Sequence, residues 1–438
     1  MQFNILKSFR IIKFTILLLI FIAFLAIIFF ALKVFSSSES IDDASYEAYP
    51  TGWVTQDGKE VYIDKDYSHA TGWKEIDGEK YYFDEDGHAL TGASEIDGTE
   101  YYFDKDGKLM SGWATVKGKK IYLSDEGTIY SGWVNILGES YYIMADGSPA
   151  KGRKTIRGRV YTFSDEGRLI TKDDLMKAIN ALPYTITETD NKKTEIKKEL
   201  TGIGGYEPDF EDRKVFLNLI NDISNNGRYS LGFIAMDLYT GEGIAYNPDE
   251  SIYSASSIKG PYVACLVESQ PELTEKLESS FKEIIINSDN KIYQSVRRTY
   301  GNACFKKWCD ELGLSENINV EMTRYNYTHF STRDLAKLWL NTYFFLDQNK
   351  DGQKIREWFE SPNNSAIHPV FEEKNYITET KGGWIAKGGS RLAVSSTVDA
   401  GVVYPDKGHP FMIIMLSNIP SDMEELCPLA EALGEMFE

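Results

Sequence analysis

Gly72-Trp73-Lys74-Glu75-Ile76-Asp77-Gly78-Glu79-Lys80-Tyr81-Tyr82-Phe83-Asp84-Glu85-Asp86-Gly87-His88-Ala89-Leu90-Thr91 is one turn of a pattern that recurs every 20 residues. Glycines stand at 52, 72, 92, 112, 132 and 152, and again six residues on at 58, 78, 98, 118, 138 and 158. A third series, at 87, 107, 127, 147 and 167, starts one repeat late because Tyr67 holds its first place. Between them lie the aromatic pairs Tyr81-Tyr82, Tyr101-Tyr102 and Tyr141-Tyr142, and Gly-Trp dipeptides at Trp53, Trp73, Trp113 and Trp133. Each unit reads as a short strand, an Asp-Gly or similar turn, an aromatic strand and a second turn, which is one β-hairpin per repeat. A lone hairpin of this size cannot bury its aromatic face, but stacked neighbours can. Residues 50–171 are therefore expected to form a solenoid of six hairpins.

Units of this form resemble the cell-wall-binding repeats of choline-binding and glucan-binding surface proteins and of clostridial toxin tails. The resemblance implies a binding module for a wall polymer: peptidoglycan, teichoic acid or glucan. Trp53, Trp73, Trp113 and Trp133, with Tyr82, Tyr102 and Tyr142, are the candidate ligand-binding residues. Their rings can stack on sugars or enclose a quaternary ammonium by cation–π attraction. The pattern departs from the choline-binding one, which usually carries a Trp before the aromatic pair; here Glu60, Lys80, Glu100, Lys120, Ser140 and Val160 stand there. Ala93 and Arg153 also replace the Gly-Trp tryptophan in two units. A cage lacking one wall favours a glycan over choline. The competing reading makes these aromatics the solenoid's own core and the module a stalk.

Upstream, residues 14–32 are 19 consecutive uncharged, almost wholly apolar residues between Lys13 and Lys33. At ~1.5 Å per residue they cover roughly 28 Å, about the thickness of a bilayer's hydrocarbon core. Lys7, Arg10 and Lys13 precede the run, so residues 1–13 are expected in the cytoplasm and the chain beyond Ser36 outside. The run is long for a cleaved signal peptide and no A-x-A site follows it, so the expectation is an uncleaved, single-pass signal anchor. Downstream, residues 172–205 break the period, are rich in Lys, Glu, Asp and Thr, and read as a solvated linker.

With 47 basic against 66 acidic residues the formal net charge is −19, which disfavours nucleic acid as a partner. Four cysteines, Cys265, Cys304, Cys309 and Cys427, are too few for a disulfide framework, and the spacing leaves their pairing open. No C-x-x-C is present and the five histidines are scattered, so neither a metal site nor a cofactor is expected.

From residue 206 the chain alternates helical and strand-like patterns. Residues 212–225 have helical apolar spacing, and residues 230–238 and 243–247 read as strands around the turn Tyr239-Thr240-Gly241-Glu242. Tyr253-Ser254-Ala255-Ser256-Ser257-Ile258-Lys259 then leads into an apolar helix. In S-x-x-K at a helix start, Ser256 and Lys259 share a face, and a lysine in a poorly solvated cleft can lose its proton readily enough to act as a base. The motif alone is weak. Ser288-Asp289-Asn290 follows, and Lys381-Gly382-Gly383-Trp384 stands 91 residues beyond Asn290, in the order S-x-x-K, S-D-N, K-x-G.

Residues 206–438 thus resemble the class A β-lactamases and penicillin-binding proteins. That resemblance implies a multidomain chain ending in an α/β (α+β) domain, with a five-stranded antiparallel sheet flanked by helices. It implies Ser256 as acyl-accepting nucleophile, Lys259 as general base, Ser288 as proton relay, Asn290 as substrate-positioning amide and Lys381 as carboxylate anchor. The backbone N–H groups of Ser256 and Trp384 are the implied oxyanion hole, beside Gly382 and Gly383. Arg391 is a further candidate for the carboxylate site. Two departures stand out: Gly382 replaces the hydroxyl residue of K-T-G, and no E-x-x-x-N loop supplies a deacylating base, the nearest match, Glu321 to Asn326, being one residue too long. The expected activity is a wall-targeted serine hydrolase forming an acyl-serine with a β-lactam or a D-Ala-D-Ala stem peptide. The alternative is a non-catalytic wall-binding or sensor protein with a degenerate domain.

Overall fold

The structure, a computed structural model, describes residues 51–438 except 57, 185, 189–193, 197, 316–317, 319–320, 323–325, 386–394 and 421–422. The expected signal anchor at residues 14–32 lies outside the described residues. Among the described residues no helix is long and apolar enough to cross a membrane. The chain divides into two compact units, one ending at Leu90 and one beginning at Thr91.

The first unit contains the hairpins Gly52–Gln56 with Lys59–Ile63 and Gly72–Ile76 with Glu79–Phe83. In the second, Asp77 and Gly78 both take positive φ, 54° and 85°, the type I′ geometry whose twist matches the flanking strands. That two-residue turn sets the register Trp73↔Tyr82 and Glu75↔Lys80. The second turn is held by Asp84, whose carboxylate accepts from the N–H groups of Asp86 and His88 at 3.0 and 2.8 Å. Stacking appears as predicted: the Ala89 N–H donates to Glu60 O at 2.9 Å, and Ala70, Ile76, Tyr81 and Phe83 form a small core with Tyr62 packed against it.

The second unit continues the repeat through the hairpins Gly92–Ile96 with Thr99–Phe103, Gly112–Val116 with Lys119–Leu123, Gly132–Ile136 with Glu139–Ile143, and Gly152–Ile156 with Arg159–Phe163. Successive hairpins are stitched by backbone bonds such as Tyr102 N–H to Gly127 O, 3.0 Å, and Tyr122 N–H to Gly147 O, 2.9 Å.

Residues 172–205 are not the solvated linker expected. Helix α1, Lys172–Ala181, starts at a reciprocal cap in which Thr171 and Asp174 satisfy each other's backbone N–H. It buries Leu175 and Ile179 in the main core. Strand β1, Leu200–Ile203, is the edge of the large sheet. Among the described residues of the segment, Leu175, Ile179, Leu182, Leu200 and Ile203 are buried and carry the packing.

The following elements are α2 (Phe210–Ile223), β2 (Leu231–Asp237), β3 (Gly243–Tyr246), α3 (Lys259–Ser269), α4 (Asn290–Tyr300), α5 (Ala303–Glu311), α6 (Thr332–Gln348), β4 (Ile377–Thr380), β5 (Gly383–Ile385), β6 (Ser396–Tyr404), β7 (Phe411–Ser417) and α7 (Cys427–Glu435). The sheet runs β1-β3-β2-β7-β6-β4, with β5 also on β6, and every pairing is antiparallel. β4 and β5 occupy one edge position, interrupted at Lys381-Gly382, so the sheet is the five positions expected plus β1 from the supposed linker.

The central strands alternate between two cores. Ile234 and Met236 of β2 face one, with α3 and α6; Phe233 and Ala235 face the other, with Phe216 of α2 and Leu429 of α7. A sheet buried on both faces needs strands without a polar stripe, which is how Leu231–Asp237 and Phe411–Ser417 read. The sheet and the helices at α3 and α4 together bring the three motifs to one place.

Candidate functional site

Ser256 sits in the turn that opens α3, preceded by Ala255 at φ 45°, a left-handed conformation that a β-carbon disfavours. The turn is pinned by Ser254 N–H to Thr328 O, 2.9 Å, and by Ser257 Oγ to Ser254 O, 2.7 Å. The Ser256 N–H donates to no backbone carbonyl among the described residues. Gly383 lies against it: a β-carbon there would stand 2.4 Å from Ser256 N, so only glycine lets β5 approach the serine this closely.

Lys259 is fully buried at the first turn of α3. Its Nζ donates to Ser288 O at 2.5 Å and to Asn290 Oδ1 at 2.8 Å, and lies 3.3 Å from Ser288 Oγ. Ser288, at φ 57°, precedes α4, which Asp289 caps by accepting from Ile292 N–H at 2.7 Å. From the sheet edge, Lys381 Nζ donates to the same Ser288 Oγ at 3.0 Å and to Gly382 O at 2.7 Å. One serine hydroxyl therefore bridges two buried ammonium groups. Burial, reinforced by the charge of Lys381 and opposed by Asp289, brings the Lys259 ammonium down to about 7. Burial brings Lys381 down to about 8, with Asp399 opposing.

Ser256, Lys259, Ser288, Asn290 and Lys381 are thus gathered as the three motifs imply, with Trp384 45% exposed beside them on β5. The pairing inside the cluster differs from the expected one. Lys259 spends its hydrogen bonds on Ser288 and Asn290, and the hydroxyl of Tyr327 joins the cluster beside them. That hydroxyl in turn donates to Asn290 Oδ1 at 2.6 Å. Asn290 Oδ1 thus accepts from both Lys259 and Tyr327. The ring of Tyr327 stacks near Tyr293, centroids 5.4 Å apart, and both rings lie under 6 Å from Lys259 Nζ. Burial keeps the Tyr327 phenol well above its usual range, so it remains a donor. No sequence motif marked Tyr327; its role exists only because the segment before α6 folds over the α3 turn.

One expectation at this site, the place of Gly382, is corrected. Gly382 does not face the cleft: a β-carbon there would meet Asn364 O at 2.7 Å and Asp399 Oδ1 at 2.8 Å, so its only offering is the carbonyl that Lys381 uses. A hydroxyl side chain is absent because the interior has no room for one. Glu321, the nearest match to a deacylating base, accepts from Thr328 Oγ1 and from His329 N–H at 3.4 Å, and it lines a separate cavity of about 520 Å³ with Asp249, Arg333 and Asp334. Burial would raise its carboxyl, but these hydrogen bonds outweigh it and hold it below the usual value. Arg391 lies outside the described residues.

In the repeats the structure shows how the aromatics meet. Trp53 contacts Tyr62 of its own hairpin and Tyr81 of the next, at 5.4 and 4.7 Å between centroids. Trp113 contacts Tyr122 and Tyr141 at 5.1 and 5.3 Å, and Trp133 contacts Tyr142 and Tyr161 at 5.3 and 4.9 Å. Trp73 contacts Tyr82 at 5.2 Å. The clusters of Trp53, Trp113 and Trp133 each combine the cross-strand partner nine residues on with the first tyrosine-position residue of the following hairpin, a regularity the 20-residue period contains but which had not singled out Tyr62, Tyr81, Tyr122, Tyr141 or Tyr161 as ligand-binding residues. The rings meet edge to face, in direct contact, leaving no gap for an ammonium between them. What remains is an open ring face: Trp53, Trp73 and Trp133 are 38, 44 and 38% exposed. Trp113 is different, because Lys120 Nζ already covers it at 4.2 Å.

Tyr102 is a correction. It is only 6% exposed, and its hydroxyl donates to Glu100 at 2.6 Å. Its cross-strand partner is Ala93, and the space a tryptophan would fill lets Tyr102 sink onto Ala114, Ile121 and Leu123. Arg153, the other replacement, ion-pairs at 2.5 Å with Asp347 of α6, a carboxylate that is 1% exposed.

Among protein families, the chain matches the choline-binding repeat over residues 70–111. No curated protein matches it. Among solved structures, choline binding protein F from Streptococcus pneumoniae, in the presence of a peptidoglycan analogue, is 27% identical over 31% of this chain and 47% of its own, with a TM-score of 0.26. CbpJ from Streptococcus pneumoniae TIGR4 is 25% identical over 34% of this chain and 48% of its own, with a TM-score of 0.25. Alternansucrase in complex with isomaltononaose is 31% identical over 27% of this chain and 10% of its own, with a TM-score of 0.20. The chain spans about half the length of the first two. A choline-binding-type repeat is thereby present within residues 70–111.

Proposed function

We propose that this chain is a surface serine hydrolase of the class A β-lactamase-like fold, held at the wall by its repeats and at the membrane by residues 14–32. The observation that carries the enzymatic half is the convergence of two buried lysines on Ser288 Oγ beside Ser256. The substrate class is a carboxylate-bearing acyl donor, a β-lactam or a D-Ala-D-Ala stem peptide. Ser256 Oγ attacks the carbonyl carbon, forming the ester bond as the C–N bond breaks. Lys259, about half of it unprotonated at pH 7, takes the serine proton, and Ser288 passes a proton to the leaving nitrogen. Lys381, still largely protonated, draws in the carboxylate. The N–H groups of Ser256 and Trp384 hold the oxyanion, worth about 3–4 kcal/mol per donor in acyl-transfer enzymes.

Deacylation is slow in this proposal, because no E-x-x-x-N loop supplies a base and Glu321 is engaged by Thr328 and His329. The protein then behaves as a penicillin-binding protein with negligible β-lactam turnover. Intact-mass spectrometry after exposure to a penicillin is the test: one adduct per chain, lost in Ser256→Ala. Rapid multiple turnover overturns the slow-deacylation part.

A second reading, a non-catalytic wall sensor, is favoured by Lys259 spending its hydrogen bonds on Ser288 and Asn290 and not on Ser256. Absence of any adduct selects it. For the repeats, the touching rings with one open face favour a wall glycan over choline as ligand.

A further inference from the structure

Cys265 lies on α3 six residues beyond Lys259, fully buried in the main core, and Cys304 is the second residue of α5, half-buried at that helix's start. Their sequence spacing of 39 residues carries no motif. In the folded chain the two thiols touch: Sγ to Sγ is 3.0 Å. Cys309 and Cys427 are placed otherwise, Cys309 deeper in the core and Cys427 against the carbonyls of Ala366 and Met423. We infer that Cys265 and Cys304 are the site of an intramolecular disulfide that fastens the helix bearing Lys259 to α5.

The gap to be closed is about 1 Å, since a disulfide is ~2.05 Å long. The two sulfurs have unequal chemistry. Cys304 is held below its ordinary value by hydrogen bonds, that from Cys265 first, assisted by the Phe305 N–H at the helix N-terminus. Cys265 is pushed well above its own value by burial. Cys304, nearer the surface, is therefore the attacking thiolate, and Cys265 the resolving thiol.

The step balances with a small-molecule disulfide as oxidant. The Cys304 thiolate attacks one of its sulfurs, forming a mixed disulfide and releasing one thiolate. Cys265 gives its proton to that thiolate and attacks Cys304 Sγ, releasing the second. Two protein thiols are oxidised and one disulfide is reduced to two thiols. The wall association proposed above puts the chain where such oxidants persist, but the chemistry is independent of whether Ser256 is acylated.

Full-length protein in detergent, reduced and then treated with oxidised glutathione, is denatured, alkylated without reductant and mapped by peptide mass. The expected result is alkylation at Cys309 and Cys427 only, with the 265 and 304 peptides joined. Cys265→Ala is expected to trap glutathione on Cys304, and Cys304→Ala to take none at Cys265. The oxidised protein unfolds at a higher temperature than the reduced one, a difference absent from Cys304→Ala. Four alkylated cysteines after oxidation, glutathione left on Cys304 of the unaltered chain, or a cross-link between chains each overturn the inference. A penicillin adduct measured on the same samples reports on the enzymatic proposal separately.

Discussion

At the scale of single residues, the cluster around Ser288 depends on removing two ammonium groups from water. An ammonium so desolvated prefers to lose its proton, and two that face one hydroxyl also repel each other. This has a direct consequence for pH. Lys259 must be neutral to accept the serine proton, so acylation should rise as pH increases through about 7. Lys381 must be charged to attract a carboxylate, so the rate should fall as pH increases beyond about 8. The expected profile of penicillin acylation is a narrow bell whose limbs belong to the pair, and a profile flat from pH 6 to 9 would refute it. Tyr327 and Glu321 separate by their effect on the adduct. Tyr327→Ala removes the phenol that donates to Asn290 Oδ1 and should slow formation of the adduct roughly 3–10-fold, the ~1 kcal/mol scale of one hydrogen bond. Glu321→Gln should leave the adduct's lifetime within twofold, because the carboxylate is bound to Thr328 and His329.

At the scale of the element, the hairpin is the working unit of the repeats. Its two-residue turn sets the register, the register places Trp opposite Tyr, and stacking brings in the next hairpin's aromatic. Where one member changes, the site changes with it. Ala93 lets Tyr102 fall into the core, and Lys120 covers Trp113. Binding to purified cell wall should therefore weaken roughly 3–10-fold per substitution in Trp73→Ala and Trp133→Ala, the ~1 kcal/mol scale of one stacking contact. Trp113→Ala should have a smaller effect. Tyr102→Ala should instead lower the unfolding temperature. Pull-down isotherms and thermal melts of the four variants decide this, and equal binding by all would make the repeats a stalk.

At the scale of the molecule, the second unit includes α1 and β1 as parts of the sheet domain's fold. Arg333 of α6 donates to the carbonyls of Ile179, Leu182 and Pro183 as well as pairing with Asp249. Each of Leu175, Ile179, Leu200 and Ile203 contributes about 1.5–3 kcal/mol when buried. A chain beginning at residue 206 removes all four and strands Arg333 with one partner. It should unfold at least ~10 °C below a chain beginning at residue 150, or fail to stay soluble, at the ~2–4 °C per kcal/mol of a domain this size. Equal unfolding temperatures would mean the segment is the linker its composition suggests.

The amino-acid sequence by itself determined the 20-residue period, the hairpin in each unit, the place to within a residue of strands such as Leu231–Asp237 and Gly243–Tyr246, and the order of the three motifs. These are local matters, decided within one turn or one apolar stretch, where glycine conformation and side-chain periodicity suffice. Tertiary structure alone decided who pairs with whom. Lys259 turned to Ser288 and Asn290, Tyr327 arrived at Asn290 from 37 positions away, Arg153 was recruited by the buried Asp347, and a polar segment became an edge strand. The physical reason is common to all four. Buried polar and charged groups must find partners wherever the packed chain offers them, and those partners are set by distance in space, to which spacing along the chain gives no guide.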